Sequence, residues 1–559
     1  MEYIVFFAAI FLFFAGLIIK GAFDARKEKE RFIRSLYENY GELPKKEYAP
    51  GKLENIAKFY KRHEREGQLD DITWNDLNLD AVFKRVNYTY TSAGEEYLYY
   101  TLRTPEFSME DLEHKESLVR YFMEHPDERV RLQFVLSQMG YSGKFSIYDY
   151  MDHLDILGKR SNGRHYLCDL LFIPAIALCA AAPSVGLFVI AVLVIYNFTS
   201  YFKEKNEIDP YIVSFSYVMR LLRCADQVSA LTIAGFEKER QRMDRCRKAL
   251  SKFRRGSFWL MSAGRMSGSG NPLDIILDYL RMMFHLDLIK FNSMLAEVRR
   301  HLTDVDEMLE TAGYLETAIA IGAYRTSLHT WCVPERESGL RIEEMYHPLL
   351  EDAVPNSIHA DKGILLTGSN ASGKSTFLKS VALNAVFAQT LHTCLAESYK
   401  GPFYHIYSSM SLRDDLGSGE SYYIVEIKSI KRILDKSREA DGEVLCFVDE
   451  VLRGTNTVER IAASTQILRC LSDEGVICFA ATHDIELAEL LKGRYENHHF
   501  EEEIVDGDVH FSYQIREGKA TTRNAIRLLS VMGYEASLIR EAEAMSERFL
   551  NEGVWRLKA

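Results

Sequence analysis

The 559-residue sequence lacks several features that would indicate particular classes of protein. Its nine cysteines form no CxxC pair and no metal-like spacing, so nothing in their arrangement indicates a metal site. Cys446 and Cys478 lie in apolar runs and are expected to be small core residues in a reducing compartment. No internal repeat is evident. The formal net charge of −12 argues against a surface that coats nucleic acid, although it leaves room for a local basic face.

Charge is also missing from the run Tyr3 to Ile19, which has the length of a membrane-spanning helix. Basic residues follow it at once, so the positive-inside rule places the rest of the chain in the cytoplasm. These residues are Lys20, Arg26, Lys27, Lys29 and Arg31. The alternative is a cleaved signal peptide, but Met1-Glu2 supplies no basic n-region. We therefore predict a transmembrane anchor over residues 1–25.

A second apolar stretch runs from Leu170 to Phe198 and has a turn signal, Pro-Ser-Val-Gly, at residues 183–186. Basic residues stand on both sides of it, which favours a hairpin that enters and leaves a membrane at the same face. Each arm is short for a full crossing, so a re-entrant pair is compatible with the pattern. The alternative is a buried helical hairpin in a soluble fold.

The sequence GSNASGKS at residues 368–375 fits the phosphate-loop pattern GxxxxGK[ST] completely. A β-like apolar run precedes it and a helix-like run follows, which is the context that the motif requires. Backbone N–H groups and the helix N-terminus would bind phosphate oxygens. The predicted nucleotide-binding residues are Gly368, Ser369, Asn370, Ala371, Ser372, Gly373, Lys374, Ser375 and Thr376.

Two further apolar runs end in polar residues. VLCFVDE ends in Asp449-Glu450, and VICFAATHD carries His483 near its end. In an open parallel sheet the carboxyl ends of strands meet at one crevice. There Asp449 and Ser375 would hold Mg²⁺, Glu450 would polarise the attacking water, and His483 would orient the γ-phosphate.

A Gly/Ser-rich loop between these runs, within RDDLGSGESYYIVEI at 413–427, contains Ser418, Gly419 and Ser421. Because the chain has its own phosphate loop, we interpret this segment as a loop offered to the nucleotide of a second subunit. The alternative is an ordinary turn.

The order of these elements resembles the ATPase domain of the MutS family, which is related to the ABC ATPases. The resemblance rests on TGSNASGKST, DDLGSGESYYIVEI, VDEVLRGTNT and FAATHD, and extends over about Arg341 to Phe549. It implies that Lys374, Glu450 and His483 are catalytic, with Asp449 on magnesium and Glu450 as general base.

The resemblance also implies that Ser421 reaches the partner subunit's γ-phosphate, with the turn at 414–415 positioning its loop. The aromatic that usually packs on the adenine is replaced near residues 353–354, and Tyr513 is a candidate for the opposite face of the adenine. The sequence departs from the family at Ser372 and Leu452, where the family usually has glycine.

The predicted fold is an α/β P-loop (ABC-type) ATPase domain preceded by an all-α core/lever domain, with an N-terminal transmembrane helix and an internal apolar hairpin. The expected segments are the anchor 1–25, first core part 26–165, apolar hairpin 166–200, lever and core helices 201–335, ATPase domain 336–535 and helical dimerisation tail 536–559. We expect no mismatch-recognition domain and no connector domain.

The predicted function is a membrane-anchored, homodimeric MutS-like ATPase that uses ATP and Mg²⁺ to move its lever helices, with the ATPase domain cytoplasmic. The alternative is a membrane-localised DNA-binding clamp, for which the basic segment 237–256 is the main support. Interleaved acids make a solvated helix face the competing interpretation of that segment. An ABC-type transporter is disfavoured, because the apolar segments are too few to form a transport pathway.

Overall fold

The computed structural model describes residues 2–143, 145–257, 260, 272–369, 372–410, 422–453, 455–505, 508–520, 526, 529, 532–553 and 555. Within these ranges the side chains of 2–15, 17, 18, 272–277, 422, 502–505, 508, 509 and 550 are not described. The chain forms two compact units. The first comprises Met1–Glu64, Val86–Tyr100 and Lys115–Ser327, and the second comprises Arg65–Arg85, Thr101–His114 and Leu328–Ala559. We call them the helical unit and the sheet unit.

The helices that lie before the first strand are α1 (Glu2–Glu38), α2 (Lys52–Ile56), α3 (Lys58–Arg62), α4 (Asp71–Asp76), α5 (Leu79–Val86), α6 (Ser92–Arg103), α7 (Met109–Glu124), α8 (Pro126–Ser137), α9 (Ile147–Asp152), a 3₁₀ turn (Leu154–Leu157), α10 (Gly163–Ala181), α11 (Pro183–Ala230), α12 (Glu237–Ala249), α13 (Ser251–Arg254), α14 (Pro272–Met283), α15 (Leu286–Arg300) and α16 (Leu302–Ser327). Local sequence sets some of their ends. Ser146 and Asp149 form a capping box at the start of α9, and the Asp70 carboxylate caps α4 by accepting from the Thr73 N–H.

The helical unit has α16 at its centre. This helix is apolar or small on nearly all of its faces, and most of its residues from Val305 to Arg325 are buried, as expected of a helix that packs on every side. Arg325, at its C-terminal end, is fully buried and donates to both carboxylate oxygens of Glu116 at 3.0 and 2.6 Å. The paired geometry compensates this buried charge.

The predicted apolar hairpin is two antiparallel helices, α10 and α11, joined at Ala182. The arms are so close that a Cβ atom on Gly186 would lie 2.5 Å from the Cys179 backbone nitrogen. The second arm does not end near residue 200 but continues as one helix of 48 residues to Ala230. The predicted boundary at 200 therefore falls inside a helix.

The sheet unit contains β1 (Leu340–Met345), β2 (Asn356–Ala360), β3 (Gly363–Thr367), α17 (Lys374–Thr390), β4 (Ser398–Lys400), β5 (Tyr404–Ser409), α18 (Tyr422–Glu439), β6 (Glu443–Asp449), α19 (Thr457–Cys470), β7 (Val476–Thr482), α20 (Glu486–Leu490), β8 (Tyr495–Val505), β9 (Asp508–Glu517) and α21 (Ala536–Glu552). The apolar runs predicted as strands before the phosphate loop, Asp449 and His483 are β3, β6 and β7.

Two sheets form this unit. An antiparallel sheet has the order β2-β1-β4, and a six-stranded sheet has the order β5-β6-β7-β3-β8-β9. In the larger sheet all neighbours are parallel except β8 and β9. Since β6, β7 and β3 are adjacent and parallel, their carboxyl ends share one edge, which is where ligands bind in open α/β sheets.

Sequence composition explains why these strands are central. Every residue of β3 is buried, and β6 and β7 are buried along almost their whole length, as near-continuous apolar runs require in a sheet covered on both faces. Residues 65–85 and 101–114 belong to the sheet unit, although the main part of that unit begins only at Leu328. Asp76 shows how: its buried carboxylate accepts from the Ser408 hydroxyl at 2.7 Å and from the Met410 N–H at 2.9 Å.

Candidate functional site

A cavity of about 590 Å³ lies at the carboxyl edge of the six-stranded sheet. Its lining includes Ser372, Gly373, Lys374, Ser375, Thr376, Asp449, Glu450, His483 and Tyr513, all of which the sequence singled out. Asn370, Ala371, Ser418, Gly419 and Ser421 lie outside the described residues. Most described residues of the predicted site therefore line one cavity. Gly368 and Ser369 are not part of the lining, but their carbonyl oxygens accept hydrogen bonds from Lys374, which is.

The loop after β3 depends on glycine at two positions. Gly368 and Gly373 have φ angles of 146° and 106°, which favour glycine. Space is also limited, because a Cβ atom on Gly368 would lie 3.0 Å from the Phe500 carbonyl oxygen, and one on Gly373 would lie 3.2 Å from a Tyr513 ring carbon. Gly373 precedes α17, so the first turn of that helix opens onto the cavity.

Lys374 is buried and folds back onto the loop. Its ammonium donates to the carbonyl oxygens of Gly368 at 2.9 Å and Ser369 at 2.6 Å. These contacts hold the Lys374 ammonium beside the N-terminus of α17, where the helix dipole also favours a bound anion. The loop thus concentrates positive potential at one end of the cavity.

Ser375 and Asp449 form the second part of the site. The Ser375 hydroxyl donates to an Asp449 carboxylate oxygen at 2.5 Å, which joins the start of α17 to the end of β6. Burial raises the pKa of Asp449, and the hydrogen bond from Ser375 opposes that rise. A hydroxyl and a carboxylate side by side are the hard oxygen ligands that Mg²⁺ prefers.

Glu450 lies between His483 and Arg453. Its carboxylate contacts the His483 Nε2 atom at 2.7 Å and the Arg453 Nε atom at 2.5 Å. The hydrogen bond from His483 is the main reason why the pKa of Glu450 is lowered, although burial acts in the opposite direction. The carboxylate is therefore ionised at neutral pH.

The backbone around Glu450 is unusual. Both Glu450 and Leu452 have φ angles of 58°, in the left-handed region that costs an ordinary residue about 1–2 kcal/mol. Leu452 stands where the family resemblance expects glycine, and its side chain is buried in the core beside β6. The left-handed turn is thus kept without glycine, and apolar packing holds it.

Among the lining residues that sequence reasoning did not single out are His347, Phe500 and Arg453. Burial lowers the pKa of His347 to about 4, so this side chain presents a neutral aromatic ring at neutral pH. Arg453 lies in the segment VDEVLRGTNT, three residues after Glu450. That spacing could have predicted its ion pair with Glu450. Tyr513, predicted on the adenine side, lines the cavity and is about half exposed.

Comparison with known proteins gives this geometry a context. Residues 364–550 match MutS domain V, a span that includes the loop after β3, the ends of β6 and β7, and most of α21. This part of the chain belongs to the MutS family.

Relatives from the family share part of the chain. The DNA mismatch repair protein MutS of Thermus thermophilus is 31% identical over 222 residues, which are 39% of this chain and 27% of the relative. The corresponding protein of Thermus aquaticus is 30% identical over 256 residues, 45% of this chain and 30% of the relative. That of Lactobacillus delbrueckii subsp. bulgaricus is 29% identical over 295 residues, 50% of this chain and 34% of the relative. The match to MutS proteins thus spans about a third of their length.

Proposed function

We propose that the sheet unit is a Mg²⁺-dependent ATPase. The observation that carries this proposal is the convergence, around one cavity, of the Ser375–Asp449 pair, the Glu450–His483 pair and the helix N-terminus at Lys374. Domain V is the ATPase domain of the MutS family, which supports assigning nucleotide chemistry to this cavity.

Lys374 and the loop would bind the phosphates. In the structure the ammonium is satisfied by two loop carbonyls, so phosphate oxygens would replace contacts that already exist. Ser375 and Asp449 would hold Mg²⁺, which, when bound, neutralises charge that develops on the phosphate oxygens. The neutral ring of His347 and the ring of Tyr513, which both line the cavity, would contact the base.

Glu450 would accept the proton of the attacking water. Its lowered pKa keeps it ionised, and its contacts with His483 and Arg453 fix the direction of the carboxylate. We propose that His483, which contacts Glu450, orients the γ-phosphate relative to this carboxylate.

The test is ATP hydrolysis by the purified chain with Mg²⁺, after removal of Mg²⁺ by EDTA, and after its replacement. We expect phosphate release only when Mg²⁺ is present, and full recovery when it is restored. Hydrolysis that persists in EDTA, or that is equally fast in Lys374→Ala, would refute this assignment and indicate a contaminating enzyme.

We further propose that two copies of the chain form the working unit. The segment containing Ser418, Gly419 and Ser421 would complete the partner's site, and ATP binding would then act on the long helices of the helical unit. The support is the MutS domain V match, which extends through α21, the predicted dimerisation tail.

The membrane proposal rests on the exposure of the hairpin. In the part of the chain that the structure describes, α10 and α11 are the helices long and apolar enough to cross a membrane. Their apolar side chains face outward, with Ile173, Leu187 and Phe188 exposed by 64%, 63% and 71%. Leaving so contiguous an apolar surface in water is unfavourable, so we propose that this hairpin enters a bilayer.

Polar contacts mark the base of the hairpin. Arg164 donates to the Tyr196 hydroxyl at 2.7 Å, and Arg160 pairs with Glu207 at 2.6 Å, so both arms carry charge at the same end. With 19 residues, α10 is about 28 Å long. Because part of that length belongs to the polar base, the remaining apolar arm is shorter than the hydrocarbon core of about 30 Å. A re-entrant hairpin from the cytoplasmic face, with the anchor over residues 1–25, fits these lengths.

Topology can be tested with cysteines introduced at Ser117 and Ser251, both exposed in the helical unit and on opposite sides of the hairpin in sequence. In a background without native cysteines, we expect both to resist an impermeant thiol reagent in intact cells and to react once the membrane is opened. Labelling of position 117 alone in intact cells would refute the hairpin and indicate two single spans, with the early core segment outside.

The alternative, a membrane-localised DNA clamp, depends on the basic segment 237–256. In the structure its basic side chains are largely neutralised by acids: Arg242 and Arg245 by Glu307, Arg247 by Asp226 and Asp244, and Lys248 by Asp244. Phosphates would have to displace these partners. We therefore keep the ATPase proposal first, and salt-dependent binding of detergent-solubilised protein to duplex, branched and single-stranded DNA tests the alternative.

A further inference from the structure

Two cysteines of the sheet unit lie directly opposite each other. Cys332 and Cys394 form an isolated antiparallel bridge in which each backbone N–H donates to the other residue's carbonyl oxygen at 2.9 Å. Such hydrogen-bonded pairs have Cα atoms about 5.5 Å apart. Disulfides span Cα separations of about 4.4–6.8 Å, so this pair needs little backbone movement to be bridged.

The two thiols are not equivalent. Cys332 is partly exposed, and a hydrogen bond from the Cys394 thiol is the main reason why the pKa of Cys332 is lowered. Cys394 is fully buried. A more acidic, accessible thiol beside a buried one is the arrangement of an attacking and a resolving cysteine.

A second cysteine pair in the same unit provides the contrast. Cys446 and Cys478 are register partners on β6 and β7, but both are fully buried in the middle of the six-stranded sheet. The hydrogen bond with Cys478 and burial raise the pKa of Cys446, so neither exposure nor acidity favours reaction there. Facing another thiol is therefore not enough, and the distinguishing property of Cys332 is access combined with acidity.

We propose that Cys332 and Cys394 form a reversible thiol–disulfide site that is oxidised by low-molecular-weight disulfides of the glutathione class. The site lies in the turn after α17, where the Leu395 N–H donates to the Asn384 side chain of that helix at 2.6 Å. Its oxidation would covalently join the start of the sheet unit to the segment that follows the predicted phosphate-loop helix. This site is independent of the proposed nucleotide chemistry.

The reaction is a two-step exchange. The Cys332 thiolate attacks one sulfur of oxidised glutathione, which breaks that disulfide and releases one glutathione thiolate. The Cys394 thiol then loses its proton and attacks the Cys332 sulfur of the mixed disulfide, which forms the Cys332–Cys394 bond and releases the second glutathione. The protein loses two protons and two electrons, and the glutathione disulfide gains both.

The test treats the purified full chain with oxidised glutathione, quenches with acid, alkylates the remaining thiols and identifies peptides by mass spectrometry. We expect a Cys332–Cys394 cross-linked peptide that disappears on reduction with dithiothreitol. In Cys394→Ser the glutathione adduct should persist on Cys332, because the resolving thiol is gone. In Cys332→Ser the cross-link should be absent and Cys394 should stay unmodified until the protein is unfolded.

Cys446→Ser is the matched control and should leave the yield of the cross-link unchanged. The exposed Cys470 is an internal reference that shows whether the reagent is active. Because Cys470 and the Cys332–Cys394 pair are compared within the wild-type chain, that comparison does not depend on how the variants fold. The proposal is overturned if Cys470 becomes modified while no Cys332–Cys394 cross-link forms, or if Cys394→Ser carries no adduct on Cys332.

Discussion

The helical and sheet units differ in where their longest apolar runs lie and where their carboxyl groups gather. In the sheet unit the apolar strands β3, β6 and β7 are inside, and the charged groups gather where those strands end. In the helical unit the apolar hairpin faces outward, while carboxylates such as Glu96 and Glu316 are only 4% and 3% exposed.

An apolar run in the sequence can therefore be either a buried strand or an exposed apolar surface. Only the solvent exposure of its side chains in the structure distinguishes the two. In the sheet unit such a run builds a scaffold for chemistry at its end. In the hairpin of the helical unit it is a surface that water does not favour and that, in our proposal, a bilayer would cover. The predictions below test each half of this contrast, from the largest expected effect to the smallest.

Removing the phosphate-binding cation should have the largest effect. Lys374→Ala should weaken ATP binding by about 10- to 150-fold, since charge-assisted hydrogen bonds contribute about 1.5–3 kcal/mol. The measurement is a fluorescent ATP analogue titrated into purified protein with Mg²⁺. Lys436→Ala, at an exposed position on α18 paired with Glu439, is the matched control and should bind normally. Equal loss in both variants would show a general effect on folding.

Charging the outward face of the hairpin should weaken its binding to lipid. In a chain lacking residues 3–19, Leu187→Glu with Phe188→Glu should weaken binding to phospholipid vesicles by about tenfold or more, because each buried apolar side chain contributes about 1.5–3 kcal/mol. Vesicle flotation measures the bound fraction. Val458→Glu adds one negative charge at an exposed apolar position of the sheet unit and should change nothing. Unchanged flotation of the hairpin variant would contradict the membrane proposal.

Mixing defective subunits should restore part of the activity if Ser421 acts on the partner's nucleotide. A mixed dimer of Lys374→Ala and Ser421→Ala has one site with both lesions and one with neither. We expect partial recovery of ATP hydrolysis in the mixture over either variant alone. Mixed dimers that are shown to form and yet remain as inactive as their parents would contradict action across a dimer interface.

A buried carboxyl should make the helical unit sensitive to pH. Burial raises the pKa of Glu96 to about 8 from an ordinary value of 4.5. Between those pH values the folded chain keeps a proton that the unfolded chain releases, so the free energy of unfolding falls as pH rises, by up to about 1.4 kcal/mol per pH unit. Glu96→Gln, which is neutral throughout, should flatten this dependence.

The measurement is the unfolding of helical circular dichroism between pH 5.5 and 7.5. Glu113→Gln, at an exposed position on α7, is the control and should keep the wild-type slope. A wild-type free energy of unfolding that rises over this range, or an unchanged slope in Glu96→Gln, would contradict the buried protonated carboxyl.

The elements of the site with strong local patterns were predictable from the sequence. The strands before Asp449 and His483 are uninterrupted apolar runs, and the loop after β3 has glycine at the two positions where the backbone needs positive φ angles. The hairpin turn was marked by Pro183. What these features share is that neighbouring residues alone determine them.

The remaining features depend on contacts that are distant in sequence. Residues 65–85 and 101–114 join the sheet unit through contacts such as Asp76 with Ser408, which no local pattern announces. Phe500 reaches the cavity because β8 pairs with β3. Cys332 faces Cys394 although the two are far apart in sequence, so only the tertiary fold brings them together. The left-handed turn at Leu452 was also hidden, since the residue type argues against it.

The central claim, that this cavity hydrolyses ATP with Glu450 as the base, is tested most directly by comparing binding and turnover in one variant. Glu450→Gln keeps the size and hydrogen-bonding geometry of the side chain but cannot accept the proton. We expect ATP to bind with nearly wild-type affinity while single-turnover hydrolysis falls by about 10²- to 10⁴-fold. Hydrolysis at the wild-type rate in Glu450→Gln, with ATP bound, would contradict the account.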